Sequence, residues 1–301
     1  MERSLSALAT EMTNPATSGI DRMTPLEIVQ AINAEDAKVA RAVQDVLPEI
    51  ARTIEAIAER MRQGGRLIYV GAGTSGRLGA LDASECPPTF TISPERVVAC
   101  MAGGPTAFGL AHEDLEDSAE AGQTDLARIE PTAVDSVVGI TASGRTPYVR
   151  GALAYARQQG ALTIGLVCNL PAPLASEVML LIAPQVGPEV LAGSTRLKAG
   201  TAQKMVLNML STGVMILLGK TFGNLMVDVQ PSNAKLRRRA LSITQQATGL
   251  DEAAAEALLA RADGETKTAI LMAHTALSPA EARQHLAAHG QVLRAALDAH
   301  P

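Results

Sequence analysis

Between residues 66 and 183 the chain alternates short apolar runs with helix-like segments, and this alternation constrains the fold more than any other feature. Arg66–Val70, Arg96–Met101, Ser136–Thr141, Leu162–Cys168 and Glu177–Ala183 each read as a strand. Runs such as VVGI and TIGLV are continuously apolar, as in strands covered on both faces. Leu78–Ser84, Thr106–Gly122 and Pro147–Gln159 read as helices between them. Five strands separated by helices predict a parallel sheet with right-handed crossovers, hence a three-layer α/β domain over roughly 50–220.

The flanks read differently. Pro15, Ser18 and Gly19 break an opening arm, and Thr24-Pro25 then supplies an N-cap and a first-turn proline. A long helix is expected over Asp36–Met61 from the stripe Val39, Ala42, Val43, Val46, Ile50, Ile54 and Ile57, with a break or kink at Pro48. From Lys198 onward no strand is evident. A helix over Thr195–Leu218, a second starting near Asn224 and three short helices over 246–301 are expected. Asp251 would cap the first of those three, Gly264 end it, and Ser278-Pro279 open the third.

Composition excludes several functions. The chain has 301 residues and only 2% aromatics, with a formal net charge of −5. That leaves no stacking surface for bases or sugars and no electrostatic case for nucleic acid or anionic lipid. Cys86, Cys100 and Cys168 form no CxxC, and a reducing cytoplasm suits them better than a disulfide or zinc framework. The first residues lack the apolar core of a signal peptide. Met205–Leu218 is interrupted by polar residues and is shorter than the roughly 20 residues that span a bilayer.

Three loops carry the chemistry. In LIYVGAGTSGRLG, Gly71, Gly73 and Gly76 match G-x-G-x-x-G directly after a strand and before a helix. A dinucleotide site would also need an acid at the end of the next strand, and RVVACMAGG has none. Thr74 and Ser75 place two hydroxyls where a helix N-terminus already favours an anion, so a phosphate monoester suits this loop better. The second loop, GITASGRTPYV, repeats the plan with Ser143, Gly144 and Thr146. Loops at the carboxyl ends of a parallel sheet converge on one crevice, and two hydroxyl-rich loops there make a phosphate pocket. The third segment, GPEVLAGSTRLKAGTAQK, offers Ser194 and Thr195 either as a helix cap or as ligands for sugar and phosphate oxygens.

Carboxylates could supply acid–base chemistry. Glu85, in LDASECPPTF, is expected in the connection after the first sheet helix, where desolvation by a Pro-Pro corner would raise its pKa. Glu113, Asp114, Glu116 and Asp117 form a second cluster, and spacing alone does not single out one of them. The five histidines, including His112, are scattered and suggest no metal site, and the basic run 235–239 reads as a solvated or subunit-facing helix edge.

Taken together, TEMTNPATSGID, GRLIYVGAGTSGRLGALDASECPPTF, MAGG, EDLED, ASGRTPYV, GSTRLKAGTAQK and NLMVDVQPSNAKLRRR resemble the N-acetylmuramic acid 6-phosphate etherase family, a branch of the sugar-isomerase (SIS) fold group. The pair DASECPPTF and GSTRLKAGTAQK carries most of the specificity. With the resemblance running to about residue 245, the chain reads as an arm and helix over 1–45, an SIS phosphosugar domain over 46–245 and a small helical domain over 246–301. It implies a cytoplasmic homodimer acting without metal or organic cofactor on the lactyl ether of a phosphosugar in peptidoglycan recycling. By the same resemblance Glu85 is the proton donor, and the family's second glutamate, 31 positions on, falls on Glu116 as base. Gly73, Thr74, Ser75, Ser143 and Thr146 would hold the phosphate, and Ser194 and Thr195 the sugar. A non-catalytic phosphosugar sensor and an aldose–ketose isomerase are the rival readings; the sensor would need neither glutamate.

Overall fold

The computed structural model describes residues 8–108, 113–229 and 234–300, with Phe108, Glu113 and Asp114 described by their backbone alone. His112 and part of the expected helix Thr106–Gly122 lie outside the described residues, as do residues 230–233 of the motif 224–239. The chain divides into two compact units, Met1–Ser84 with Pro94–Ser211, and Glu85–Ser93 with Thr212–Pro301.

The first unit is built on a five-stranded sheet, entirely parallel, in the order β2-β1-β3-β4-β5. Its strands are β1 Leu67–Gly71, β2 Val97–Met101, β3 Ser136–Ile140, β4 Leu162–Leu166 and β5 Leu180–Ile182. Each expected strand is present, and β5 is trimmed to three residues. Alternate side chains of one strand serve opposite faces. Ile68, Val70 and Val137 pack with Val149, Ala152 and Leu153 of α7 (Pro147–Gln158) on one face. On the other face Tyr69 meets α4 (Gly73–Phe90), its hydroxyl donating to Asp82 Oδ2 at 2.8 Å. Asp82 also accepts from Asn208 (2.6 Å) and Ser211 (3.1 Å) of α8 (Lys198–Leu217). Burial raises the Asp82 pKa although these three donors oppose it. Fully burying each aliphatic side chain of this sandwich contributes roughly 1.5–3 kcal/mol, which fixes the strand ends that carry the loops.

Several local expectations are corrected. The single helix over Asp36–Met61 is divided among α1 Pro25–Asp36, α2 Val39–Gln44 and α3 Leu47–Arg62. Pro48 lies in the first turn of α3, so the break precedes it, as a residue without an N–H prefers. The expected cap at Thr24-Pro25 is a full capping box with Glu27. The segment Leu78–Ser84 belongs to the longer α4, which carries Glu85, Pro87 and Pro88 within it. In place of one helix over Thr106–Gly122 there is a 3-10 turn, Gly104–Phe108, then α5 Glu113–Glu116 and α6 Ala119–Ala127.

In the second unit, strands do follow Lys198. β6 Thr221–Phe222 and β7 Leu225–Met226 form an antiparallel hairpin whose turn begins on Gly223 at φ +57°. The helix expected near Asn224 starts later, as α9 Ala234–Thr248. Four helices follow rather than three: α10 Glu252–Arg261, α11 Thr266–Thr275, α12 Pro279–Ala288 and α13 Leu293–Asp298. Asp251 caps α10 and Ser278 opens α12 with a capping box to Glu281, as their sequence positions predict. Ile270, Leu271, Leu286 and Leu293 belong to a core of their own. Among the described residues no helix is long and apolar enough to cross a membrane.

Candidate active site

In the sheet order, β1 lies between β2 and β3, so the chain leaves it toward one side and β3 toward the other. This is the topological switch point at which open parallel sheets bind ligands. Gly71 is in register with Ile140, so the loops leaving β1 and β3 start side by side.

The first loop turns through the single residue Ala72 into α4. A Cβ at Gly71 would stand 2.7 Å from Gly76 N, and one at Gly76 would stand 2.6 Å from Gly71 O. Only glycine permits that approach, and Gly73 takes φ +52° at the start of the helix. The first-turn amides of α4 face outward from the helix with its dipole behind them, the arrangement that favours an anion. Thr74 and Ser75 are half-buried there. Ser75 Oγ donates to Gln203 Oε1 of α8 at 2.9 Å. Thr74 lies against the same helix, its Cγ2 3.5 Å from the space a Cβ at Gly200 would occupy. Glu116 closes the group: its Oε2 is 3.9 Å from the position a Cβ would take on Gly73. A carboxylate thus stands beside the anion loop.

The second loop is a small hydroxyl network. Thr141 Oγ1 lies 2.8 Å from Thr146 Oγ1 and 3.4 Å from Ser143 Oγ, which also accepts from Arg145 N at 3.1 Å. Thr146 is the N-cap residue of α7, yet its hydroxyl makes no capping bond to the helix. Behind the loop, Asn169 donates to Ala142 O at 2.9 Å and to Thr10 Oγ1 at 3.0 Å, and accepts from Thr10 N at 3.2 Å. The opening arm is therefore a brace for this loop.

The arm also holds the third segment. Gly193 N donates to Thr10 O at 2.9 Å, and Thr17 Oγ1 donates to Val190 O at 2.8 Å. Ser194 and Thr195 are half-buried, and their hydroxyls bond to no other described residue. They do not cap α8, which starts at Lys198 rather than Thr195. The cap is the fully buried Glu189, accepting from Lys198 N and Ala199 N at 2.9 Å each. Its position far back in sequence from the helix start hides it from pattern reading. Burial raises the Glu189 pKa against the pull of those amides. Lys198 Nζ in turn pairs with Glu35 at 2.7 Å, both side chains buried. Burial acts to raise the Glu35 pKa, but hydrogen bonds from Lys198 and Lys38 outweigh it and hold it at about 2.

Glu85 belongs to the second unit and is exposed. The desolvated Pro-Pro corner expected around it is absent, because the two prolines continue α4 instead of turning the chain. Gln203, Glu189, Asn169 and Thr10 are supports that the motif analysis did not single out. Gln203 lies within the quoted GTAQK, where its depth on a helix face was the available signal. Among the described residues no cluster of His, Cys, Asp and Glu has the makings of a metal site.

A five-stranded parallel sheet with hydroxyl-bearing loops at its switch point is the architecture of the SIS class, and residues 49–157 match the glucokinase regulatory protein N-terminal SIS domain. Residues 223–268 match the C-terminal lid domain of the same regulatory protein. A phosphoheptose isomerase from Francisella tularensis shares the fold, with a TM-score of 0.51 and 17% identity over 64% of this chain and all of that one. The N-acetylmuramic acid 6-phosphate etherase of Serratia proteamaculans is 54% identical over 97% of this chain and 99% of its own. Its namesake from Salmonella typhimurium is 53% identical over 98% and 99%. The chain belongs to the N-acetylmuramic acid 6-phosphate etherase family.

Proposed function

We propose that the protein cleaves the lactyl ether of N-acetylmuramic acid 6-phosphate, giving N-acetylglucosamine 6-phosphate and D-lactate. The observation that carries this reading is the Glu116 carboxylate beside the glycine of the anion loop. A base there can act on a sugar whose phosphate is held by the same loop. In the open-chain aldehyde the C2 proton is acidic. Glu116 takes it, the electron pair forms the C2–C3 double bond, and the C3–O bond breaks. Glu85 protonates the departing lactate oxygen and then accepts a proton from water as it adds to C3. The proton held by Glu116 returns to C2, so one water is consumed and no oxidant is needed.

The loops take complementary parts. The open amides of α4 and the hydroxyls of Thr74, Ser75, Ser143 and Thr146 bind phosphate oxygens, and Ser194 and Thr195 bind the sugar. We read the protein as a cytoplasmic homodimer that serves peptidoglycan amino-sugar recycling. Free thiols at all three cysteines suit a reducing compartment. On α1, Leu26 is 65% exposed and Val29 57%, a surface suited to a second subunit.

Turnover in heavy-oxygen water tests the reaction. Lactate should leave unlabelled and the new oxygen should appear on the sugar. Saturable phosphosugar binding with no lactate released would overturn it in favour of a sensor.

A further inference from the structure

Gln203 is 1% exposed, and the two ends of its amide are treated unequally. Oε1 accepts the Ser75 proton at 2.9 Å, whereas Nε2 is buried without a hydrogen-bond partner. A buried donor left unpaired is costly and asks for a reason. Gln203 and Gly200 lie three residues apart, on the one face of α8 that meets the anion loop through Ser75 and Thr74. The orphan N–H is therefore part of the wall behind that loop.

A serine hydroxyl has a single proton. Ser75 spends it on Gln203, but the oxygens of a phosphate dianion only accept, so Ser75 can bind one only by redirecting that proton. Its oxygen is then open to a donor. The carboxamide has one, and its two ends are so alike in shape that a half-turn about the last side-chain bond leaves the heavy-atom positions in place. We propose that Gln203 is a positioning residue of the phosphate site, whose amide turns over when a phosphate monoester binds so that Nε2 donates to Ser75 Oγ while Ser75 donates to the phosphate. The exchange replaces an unpaired N–H by an unpaired carbonyl oxygen, the better tolerated of the two. It also gains a charge-assisted bond to the ligand. The inference rests on the reading of the first loop as a phosphate site.

Calorimetric titration of the full chain with N-acetylglucosamine 6-phosphate and with inorganic phosphate tests it. In Gln203→Glu the carboxylate can only accept, so it keeps the Ser75 proton and adds negative charge. Binding at about pH 7.5 should weaken roughly 30-fold. On acidification toward about pH 5.5 the ratio of variant to wild-type affinity should climb back toward one, because a protonated glutamate regains a donor. Titration of the phosphate itself cancels in that ratio. If Gln203→Glu does not fold, the neutral Gln203→Met should bind roughly 10-fold more weakly. In that case it should add nothing further in a Ser75→Ala background. A ratio independent of pH, or full additivity with Ser75→Ala, would overturn the role of Gln203 while leaving the phosphate site intact. Wild-type protein that bound neither ligand would overturn both.

Discussion

Two helix starts at the carboxyl edge of the sheet differ from two in the C-terminal unit. In the C-terminal unit Asp251 accepts from Ala254 N at 2.8 Å and Ser278 from Glu281 N at 3.4 Å, so these helix ends are satisfied by their own side chains. In the sheet unit the N-cap hydroxyl of α7, Thr146, bonds sideways to Thr141 instead, and α4 begins on a glycine with no side chain to offer. Helix starts that are capped stabilise a domain. Those left open at the carboxyl edge of a sheet keep their amides for a ligand. The start of α8 is an intermediate case, capped by the buried Glu189 and anchored through Lys198 to Glu35, so that Ser194 and Thr195 just ahead of it stay uncommitted.

Substitutions should divide along that line. The largest stability loss is expected from Glu35→Ala, which strands Lys198 as an unpaired buried cation. Breaking such a pair costs about 3–5 kcal/mol, visible as a lowered midpoint in denaturant. The same pair gives a pH signature. The Glu35 pKa falls from 4.5 to about 2 on folding. Its contribution is therefore fully present above the unfolded value and is lost as pH drops from about 4.5 toward about 2. Glu35→Gln should flatten that part of the stability profile. Ser143→Ala comes next: if Ser143 binds the phosphate as proposed, the variant loses a bond to a charged group, so KM for the phosphosugar should rise by roughly 10–100-fold with little change in Tm. The smallest effect is expected from Ser278→Ala in the C-terminal unit, about 1 kcal/mol of stability by thermal melting with KM unchanged. A KM change there, or a Tm change from Ser143→Ala of the same size, would blur the contrast between the units.

Much of the sheet unit was legible because continuous apolar runs and glycine-hydroxyl loops are local signals. The five strands follow from the apolar runs, and the caps at Thr24, Asp251 and Ser278 from N-cap residues placed just ahead of helical segments. The β6–β7 hairpin was not, since each strand has two residues and no period can show in so short a run. The course of α4 through Pro87-Pro88 was hidden for the opposite reason, a strong breaker overridden by tertiary packing. Within the candidate site, the loop hydroxyls could be read from the sequence, whereas their supports could not. Ser75 with Gln203 and Asn169 with Thr10 are pairs more than a hundred residues apart, as is Lys198 with Glu35. Glu116 was one of four neighbouring acids until a family register selected it, and geometry independently sets its carboxylate against Gly73.

That carboxylate is the centre of the account, and isotope exchange at C2 of the sugar measures it most directly. Wild-type protein turning over N-acetylmuramic acid 6-phosphate in heavy water should leave deuterium at C2 of the product. Glu116→Gln should lose both lactate release and deuterium incorporation, by roughly 100-fold or more, while still binding N-acetylglucosamine 6-phosphate. Exchange at C2 continuing at the wild-type rate in a folded Glu116→Gln would show that another group removes the proton, and would contradict the account.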